Sequence, residues 1–207
     1  MLCPACFDAE QAAEQKQRQL GEYLQKTIGP WGVAKYSFDS FNVNAGNMEA
    51  YQACTEFNPA FHNLFLWGEC GTGKTHLAGA VMKAMCAAGR RVKWVNPLYL
   101  GRLLKSRWPS EEEGIIDELV NADVVFMDDL GVGREMNQAL QIIYELTDKR
   151  RAQERNGLVI TSNENLEVLA KNYKDDRIIS RIAGLCRVIP LSGIDGRLEW
   201  QRETANG

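Results

Sequence analysis

Leu64-Phe-Leu-Trp-Gly-Glu-Cys-Gly-Thr-Gly-Lys-Thr75 is the stretch whose reading decides the fold. Leu64–Trp67 is apolar throughout, which predicts a short buried strand. The residues from Gly68 to Gly73 predict a loop, and His76–Ala88 predicts a helix. Strand, G-x-x-x-x-G-K-T and helix in that order make a phosphate-binding loop in the context that gives the motif meaning. Gly68, Gly71 and Gly73 let the backbone turn tightly, so that successive N–H groups converge on phosphate oxygens. The partial positive charge at the helix N-terminus adds to them. Lys74 is placed for the β- and γ-phosphates and the Thr75 hydroxyl for Mg2+. The candidate nucleotide-binding residues are therefore Gly68, Glu69, Cys70, Gly71, Thr72, Gly73, Lys74, Thr75 and His76. A nucleoside triphosphate is the expected ligand.

The rest of the 207 residues sets bounds on that reading. The length suits one domain with a full core and a short appendage. A net charge of −3 argues against a broadly basic nucleic-acid coat, though it allows a local basic patch. No apolar run reaches the ~20 residues needed to span a bilayer, and the N-terminus has neither the basic region nor the apolar core of a signal peptide. Six scattered cysteines, with Cys70 inside the loop, do not form a secreted disulfide framework. The expected compartment is the cytoplasm. Cys3 and Cys6 form a lone C-x-x-C with no second ligand pair nearby. It reads as half a zinc knuckle, a redox pair, or neither.

A second chemical stretch follows at Ala122–Gly131. The apolar run Val124–Met127 predicts a strand, and it ends in two consecutive carboxylates, Asp128 and Asp129. An acid at this strand end holds Mg2+ through its water shell in phosphate-loop proteins, which assigns Asp128 to the metal alongside Thr75. Asp129 is placed to polarise the attacking water, or else caps the next turn. The strand Leu158–Thr161 ends in Thr161-Ser-Asn163. There Asn163 either meets the γ-phosphate and the lytic water or merely forms a turn.

Elsewhere the chain divides into a short arm and the main domain. Asp8–Lys26 reads as a mostly solvated helix that Ile28-Gly-Pro-Trp-Gly32 ends, so that residues 1–35 form an N-terminal arm and 36–207 the domain. Phe38 and Phe41 either close over a nucleotide base or pin this segment to the core. Helices are predicted over Ala45–Phe57, Pro97–Trp108, from Ser110, over Asn137–Gln153 and over Asp175–Ile182. Further strands are predicted at Arg91–Val95 and Arg187–Pro190. Arg102, Lys105 and Arg107 beside Trp108 suit a single-stranded nucleic-acid backbone and a stacked base, or form a solvated basic face. Lys149-Arg150-Arg151 is a cationic last turn that suits the helix dipole or reaches a neighbour or DNA. Arg177 and Arg181 share one helix face. They serve either a neighbouring subunit's γ-phosphate or a surface ion pair with Asp175 or Asp176.

Taken together, Phe38-Asp-Ser-Phe41, Gly68–Ala78, Asp128-Asp-Leu-Gly131, Thr161-Ser-Asn163 and Ser180-Arg-Ile182 resemble the ATPase domain of the DnaC/DnaI helicase loaders. The transposition helper IstB belongs to the same AAA+ group. The resemblance spans residues 36–197. It implies an α/β P-loop fold with a parallel five-stranded sheet in the order 5-1-4-3-2 between helices, with little or no helical lid after Pro190. It implies ATP and Mg2+ as cofactors and Mg-dependent ATP hydrolysis. Lys74 and Thr75 would contact phosphate and Mg2+, Asp128 and Asp129 would form the acidic motif, and Asn163 would sense the γ-phosphate. Arg181 would be an arginine finger acting in trans, with Arg177 its companion and Arg197 a late arginine of the domain. The implied partners are a replicative hexameric helicase of the DnaB type, single-stranded DNA and further copies of the chain in a ring or spiral, with no membrane. Two other readings share the motifs: an IstB-like transposition helper, and an adaptor that binds ATP without hydrolysing it.

Overall fold

Each of the five predicted strands forms, and every neighbouring pair of strands is parallel. The computed structural model describes residues 36–105, 109–131, 136–172 and 176–193. In chain order the elements are α1 (Met48–Thr55), β1 (Asn63–Trp67), α2 (Lys74–Ala87), β2 (Val92–Val95), α3 (Pro97–Lys105) and α4 (Pro109–Asn121). They continue with β3 (Val124–Met127), α5 (Met136–Ala152), β4 (Leu158–Ser162), α6 (Leu166–Asn172), α7 (Asp176–Leu185) and β5 (Arg187–Pro190). The sheet order is β2-β3-β4-β1-β5. This is the expected order, read from its other edge.

The inner strands β1, β3 and β4 are buried almost throughout because both sheet faces are covered there. The edge strands β2 and β5 instead carry Lys93 and the exposed Arg187, Val188 and Pro190. Leu64 and Leu66 of β1, Val124 and Phe126 of β3 and Val159 of β4 enter one core with Leu77, Val81 and Met82 of α2. Their alternates, Phe65, Val125, Met127, Leu158 and Ile160, enter a second core with residues of α4, α5, α6 and α7. Register keeps the layers aligned, with Leu64 beside Val159 and Phe126 beside the same valine. Fully burying a side chain of this size contributes about 1.5–3 kcal/mol. Cys54, Cys86 and Cys186 are free thiols. Burial pushes Cys54 and Cys186 up to about 12, so both behave as small apolar groups.

The chain leaves β1 through α2, crosses to the β2 edge and returns through β3 and β4. The carboxyl ends of β3, β4 and β1 therefore lie side by side, where open parallel sheets bind ligands. No helix among the described residues is long and apolar enough to cross a membrane.

Several element boundaries differ from expectation, with local causes. Helix α2 starts at Lys74 rather than His76, because the Leu77 N–H already bonds the Gly73 carbonyl at 2.9 Å. Helix α1 is shorter than predicted and α7 runs on to Leu185. Helix α6 was not anticipated. Asn165 caps it, its side-chain oxygen accepting the Val168 N–H at 2.8 Å.

The cationic end of α5 is also redirected. Arg150 is buried, and its guanidinium donates to the carbonyls of Leu119, Val120 and Ala122, which closes the C-terminal end of α4. Burial pushes its pKa down to about 10. Lys149 pairs with Glu145 and Asp117. Of that predicted basic turn, two members are thus committed within the chain. The arm 1–35 with Cys3, Cys6 and the Asp8–Lys26 helix, together with Arg107, Trp108, Asp175, Arg197 and the segment after 193, lies outside the described residues. So do the side chains of Arg102 and Lys105, although both positions fall on α3.

Candidate active site

Three adjacent strand ends build the site. From β1 the backbone enters the loop through Gly68, where a Cβ would lie 2.0 Å from the Leu191 carbonyl oxygen. Gly73 closes the loop at φ +98°, and a Cβ there would lie 2.6 Å from the Phe41 ring. Only glycine meets both demands. Gly73 caps α2 without a side chain, so the first N–H groups of the helix remain directed at the loop. Lys74 is buried, and its Nζ donates to the carbonyls of Gly68 and Glu69 at 2.7 Å each. The ammonium is thereby folded into the loop.

From β3, Asp128 presents its carboxylate to α2. Asp128 Oδ1 accepts from the Thr75 hydroxyl at 3.0 Å and from the Thr161 hydroxyl at 2.7 Å. Asn96, at the end of β2, donates from Nδ2 to the Asp128 carbonyl at 3.3 Å, while its Oδ1 accepts the Tyr99 N–H at the start of α3. Asp129 adopts φ 66°, and its N–H donates to Thr161 Oγ1 at 2.9 Å. Its carboxylate turns outward, where Oδ1 accepts from Asn163 Nδ2 at 3.0 Å. Thr75, Asp128, Thr161, Asp129 and Asn163 thus form one hydrogen-bonded chain across the mouth of the sheet.

Burial holds the Asp128 carboxyl above the usual carboxylate range, and the Asp129 charge adds to this, against the Thr161 and Thr75 hydroxyls and Lys74. A carboxyl raised by folding binds its proton more tightly folded than unfolded, so at neutral pH its ionisation opposes folding. That opposition disappears as pH falls through the folded-state value. Asp128→Asn should therefore melt above the wild type near neutral pH without nucleotide, with the margin closing on acidification. Thermal unfolding against pH checks this.

The arrangement fits a triphosphate with Mg2+. A glycine cradle, a lysine folded into it and two oxygens, Thr75 Oγ1 and Asp128 Oδ1, in contact at its rim are what such a ligand needs. Mg2+ keeps several waters and takes phosphate oxygens, so few protein ligands are required.

Other candidate residues are placed differently. His76 is directed at the segment before α1: Nε2 lies 2.9 Å from the Ser37 carbonyl and 3.2 Å from Ser40 Oγ. Tyr36 stacks on its ring at 4.7 Å. Phe38 and Phe41 both pack on Tyr51, which favours their pinning role. Cys70 and Glu69 are exposed on the loop. Arg181 stands apart on α7. It pairs with Asp148 of α5, and its guanidinium lies 4.4 Å over the Tyr144 ring. Sequence reasoning assigned no role to Asn96 or to the Thr161 hydroxyl. Asn96-Pro97 is a legible cap signal, whereas Thr161 acquires its partners only across the sheet.

With this geometry in view, a family model described as "IstB-like ATP binding protein" matches residues 7–204. The replicative helicase loader DnaC of Escherichia coli (strain K12) is 26% identical over 171 residues, covering 77% of this chain and 69% of that protein. The crystal structure of DnaI has the same fold at a TM-score of 0.67, with 22% identity over 80% of this chain and 93% of that one. The replication initiator DnaA, solved with AMPPCP and single-stranded DNA, matches at a TM-score of 0.65 and 22% identity, over 77% of this chain and 50% of that one. The chain spans about half the length of the replication initiators it matches in fold.

Proposed function

The chain belongs to the IstB-like ATP-binding protein family, and from that membership we propose an Mg-dependent ATPase that loads a replicative helicase. The observation that carries the reading is the hydrogen-bonded chain from Thr75 through Asp128, Thr161 and Asp129 to Asn163. It supplies a metal-side acid, a water-side acid and an amide in one connected array, more than an adaptor that only binds ATP requires.

ATP enters the glycine cradle, and Lys74 exchanges its two carbonyl partners for β- and γ-phosphate oxygens. Thr75 and Asp128 would hold Mg2+, which would supply positive charge to offset that of the phosphates. Asp129 accepts the proton of the attacking water, and Asn163 orients that water against the γ-phosphate. Arg181 of a neighbouring copy completes the site. The exposed positions of α7 beside it, Arg177, Ser180 and Gly184, leave room for close approach. Assembly and hydrolysis are then coupled.

The similarity to the replicative helicase loader DnaC supports a replicative helicase as client. In this reading the client is a hexameric DnaB-type ring, Arg102, Lys105 and Arg107 grip single-stranded DNA, and residues 1–35 dock on the ring. The work is placed in the cytoplasm. The family description equally admits a transposition helper, which shares the chemistry and differs in client. Co-purification with a hexameric helicase in the presence of ATP supports the loader; capture of a transposase in its place selects the helper.

ATP binding and turnover of the wild type against Lys74→Ala test the chemistry. Loss of the ammonium removes charged hydrogen bonds of about 1.5–3 kcal/mol each, so affinity should fall on the order of 100-fold. Unchanged affinity contradicts the site.

A further inference from the structure

We infer that Thr161 is a positioning residue for hydrolysis: its hydroxyl fixes the metal-side and water-side acids at once. The inference rests on the ATPase reading above. Strand β4 lies between β3 and β1, so its carboxyl end is flanked by the acidic turn on one side and the phosphate loop on the other. Thr161 sits there at 1% exposure.

A threonine hydroxyl offers one donor and two acceptor sites. The donor goes to Asp128 Oδ1 at 2.7 Å, and an acceptor site takes the Asp129 N–H at 2.9 Å. The Thr161 main-chain oxygen accepts the Leu130 N–H at 2.8 Å. One residue therefore holds three successive residues of the acidic turn. Asp129 at φ 66° occupies a backbone region that costs a non-glycine residue about 1–3 kcal/mol and persists only where its surroundings over-determine it. The Thr161 hydroxyl is one of those constraints. The same turn brings the Asp129 carboxylate to Asn163, two residues beyond Thr161.

Thr75 and Thr161 share one oxygen of Asp128. If the Thr75 hydroxyl were taken up by Mg2+, Thr161 would be the donor that keeps the carboxylate aimed. Thr161 acts through the two acids, so its removal should appear in the chemical step and not in ATP capture by the loop. Valine has the same shape without the hydroxyl, and serine keeps the hydroxyl without the methyl.

The test measures kcat, KM, equilibrium ATP affinity and thermal unfolding for the wild type, Thr161→Val, Thr161→Ala and Thr161→Ser. Removing a partner of a metal-side ligand typically lowers activity about 10–100-fold. That loss is expected in kcat for the valine and alanine variants, with KM and ATP affinity close to wild type and serine restoring most of the rate. The alanine variant carries the same expectation should valine fail to fold. Wild-type kcat in the valine or alanine variant, or a loss that follows Tm and affinity with no rescue by serine, overturns the role of Thr161 while the ATPase reading stands. A wild type that binds ATP but never turns it over overturns both.

Discussion

Arg181→Ala is expected to lower ATP turnover by about 10³-fold or more while ATP binding survives. An arginine supplied in trans to a γ-phosphate stabilises charge that develops only in the transition state, and contributions of about 10³–10⁵ are typical. The expectation follows from where Arg181 sits. It is on α7, away from the chain's own loop, held by Asp148 and the face of Tyr144 on α5. A guanidinium restrained at two points loses little conformational freedom when it meets a neighbour's phosphate. The competing explanation is a surface ion pair, generally worth about 0–1 kcal/mol. Asp148→Ala separates the two, because it breaks the same pair and leaves the guanidinium. Turnover should largely survive in Asp148→Ala and collapse in Arg181→Ala. Equal, small effects from both variants would reduce Arg181 to a structural contact.

Asp129→Asn is the second large effect. General-base assistance contributes about 10²–10⁴-fold, and the amide cannot accept a proton from water. The replacement preserves shape, and its side-chain oxygen can still accept from Asn163 Nδ2, as Asp129 Oδ1 does. Asparagine also tolerates the left-handed backbone that Asp129 adopts. The variant should therefore fold, bind Mg-ATP as the wild type does, and turn over about 10²–10⁴-fold more slowly. Steady-state turnover beside calorimetric ATP binding checks this. An undiminished rate would leave Asp129 as a turn residue only.

Much of this was legible in the sequence, for local reasons. The P-loop declares itself over twelve consecutive residues, and a four-residue apolar run ending in Asp128-Asp129 is equally compact. The sheet order came through resemblance, since parallel strands buried on both faces carry no alternation from which pairing could be read. What escaped was the non-local part. Thr161 meets Asp128 across 33 residues of sequence, and nothing in Thr161-Ser-Asn163 tells its hydroxyl from any other strand-end threonine. Arg150 looked like one of three surface cations until the carbonyls ending α4 were seen to close around it. The Arg181 pair with Asp148 of α5 is likewise non-local, 33 residues apart in the chain. The Asn165 cap differs in kind: Asn ahead of the apolar Leu166, Val168 and Leu169 is a local helix-start signal.

The most direct test of a shared catalytic site is complementation between two inactive chains. Lys74→Ala keeps the finger and loses the loop; Arg181→Ala keeps the loop and loses the finger. Each should be inactive alone. Mixed in equal amounts with ATP, Mg2+ and single-stranded DNA, they should form interfaces in which an intact loop faces an intact Arg181, and turnover should return to a substantial fraction of wild type. A mixture as inactive as its components, although the two chains are shown to co-assemble, would contradict catalysis in trans.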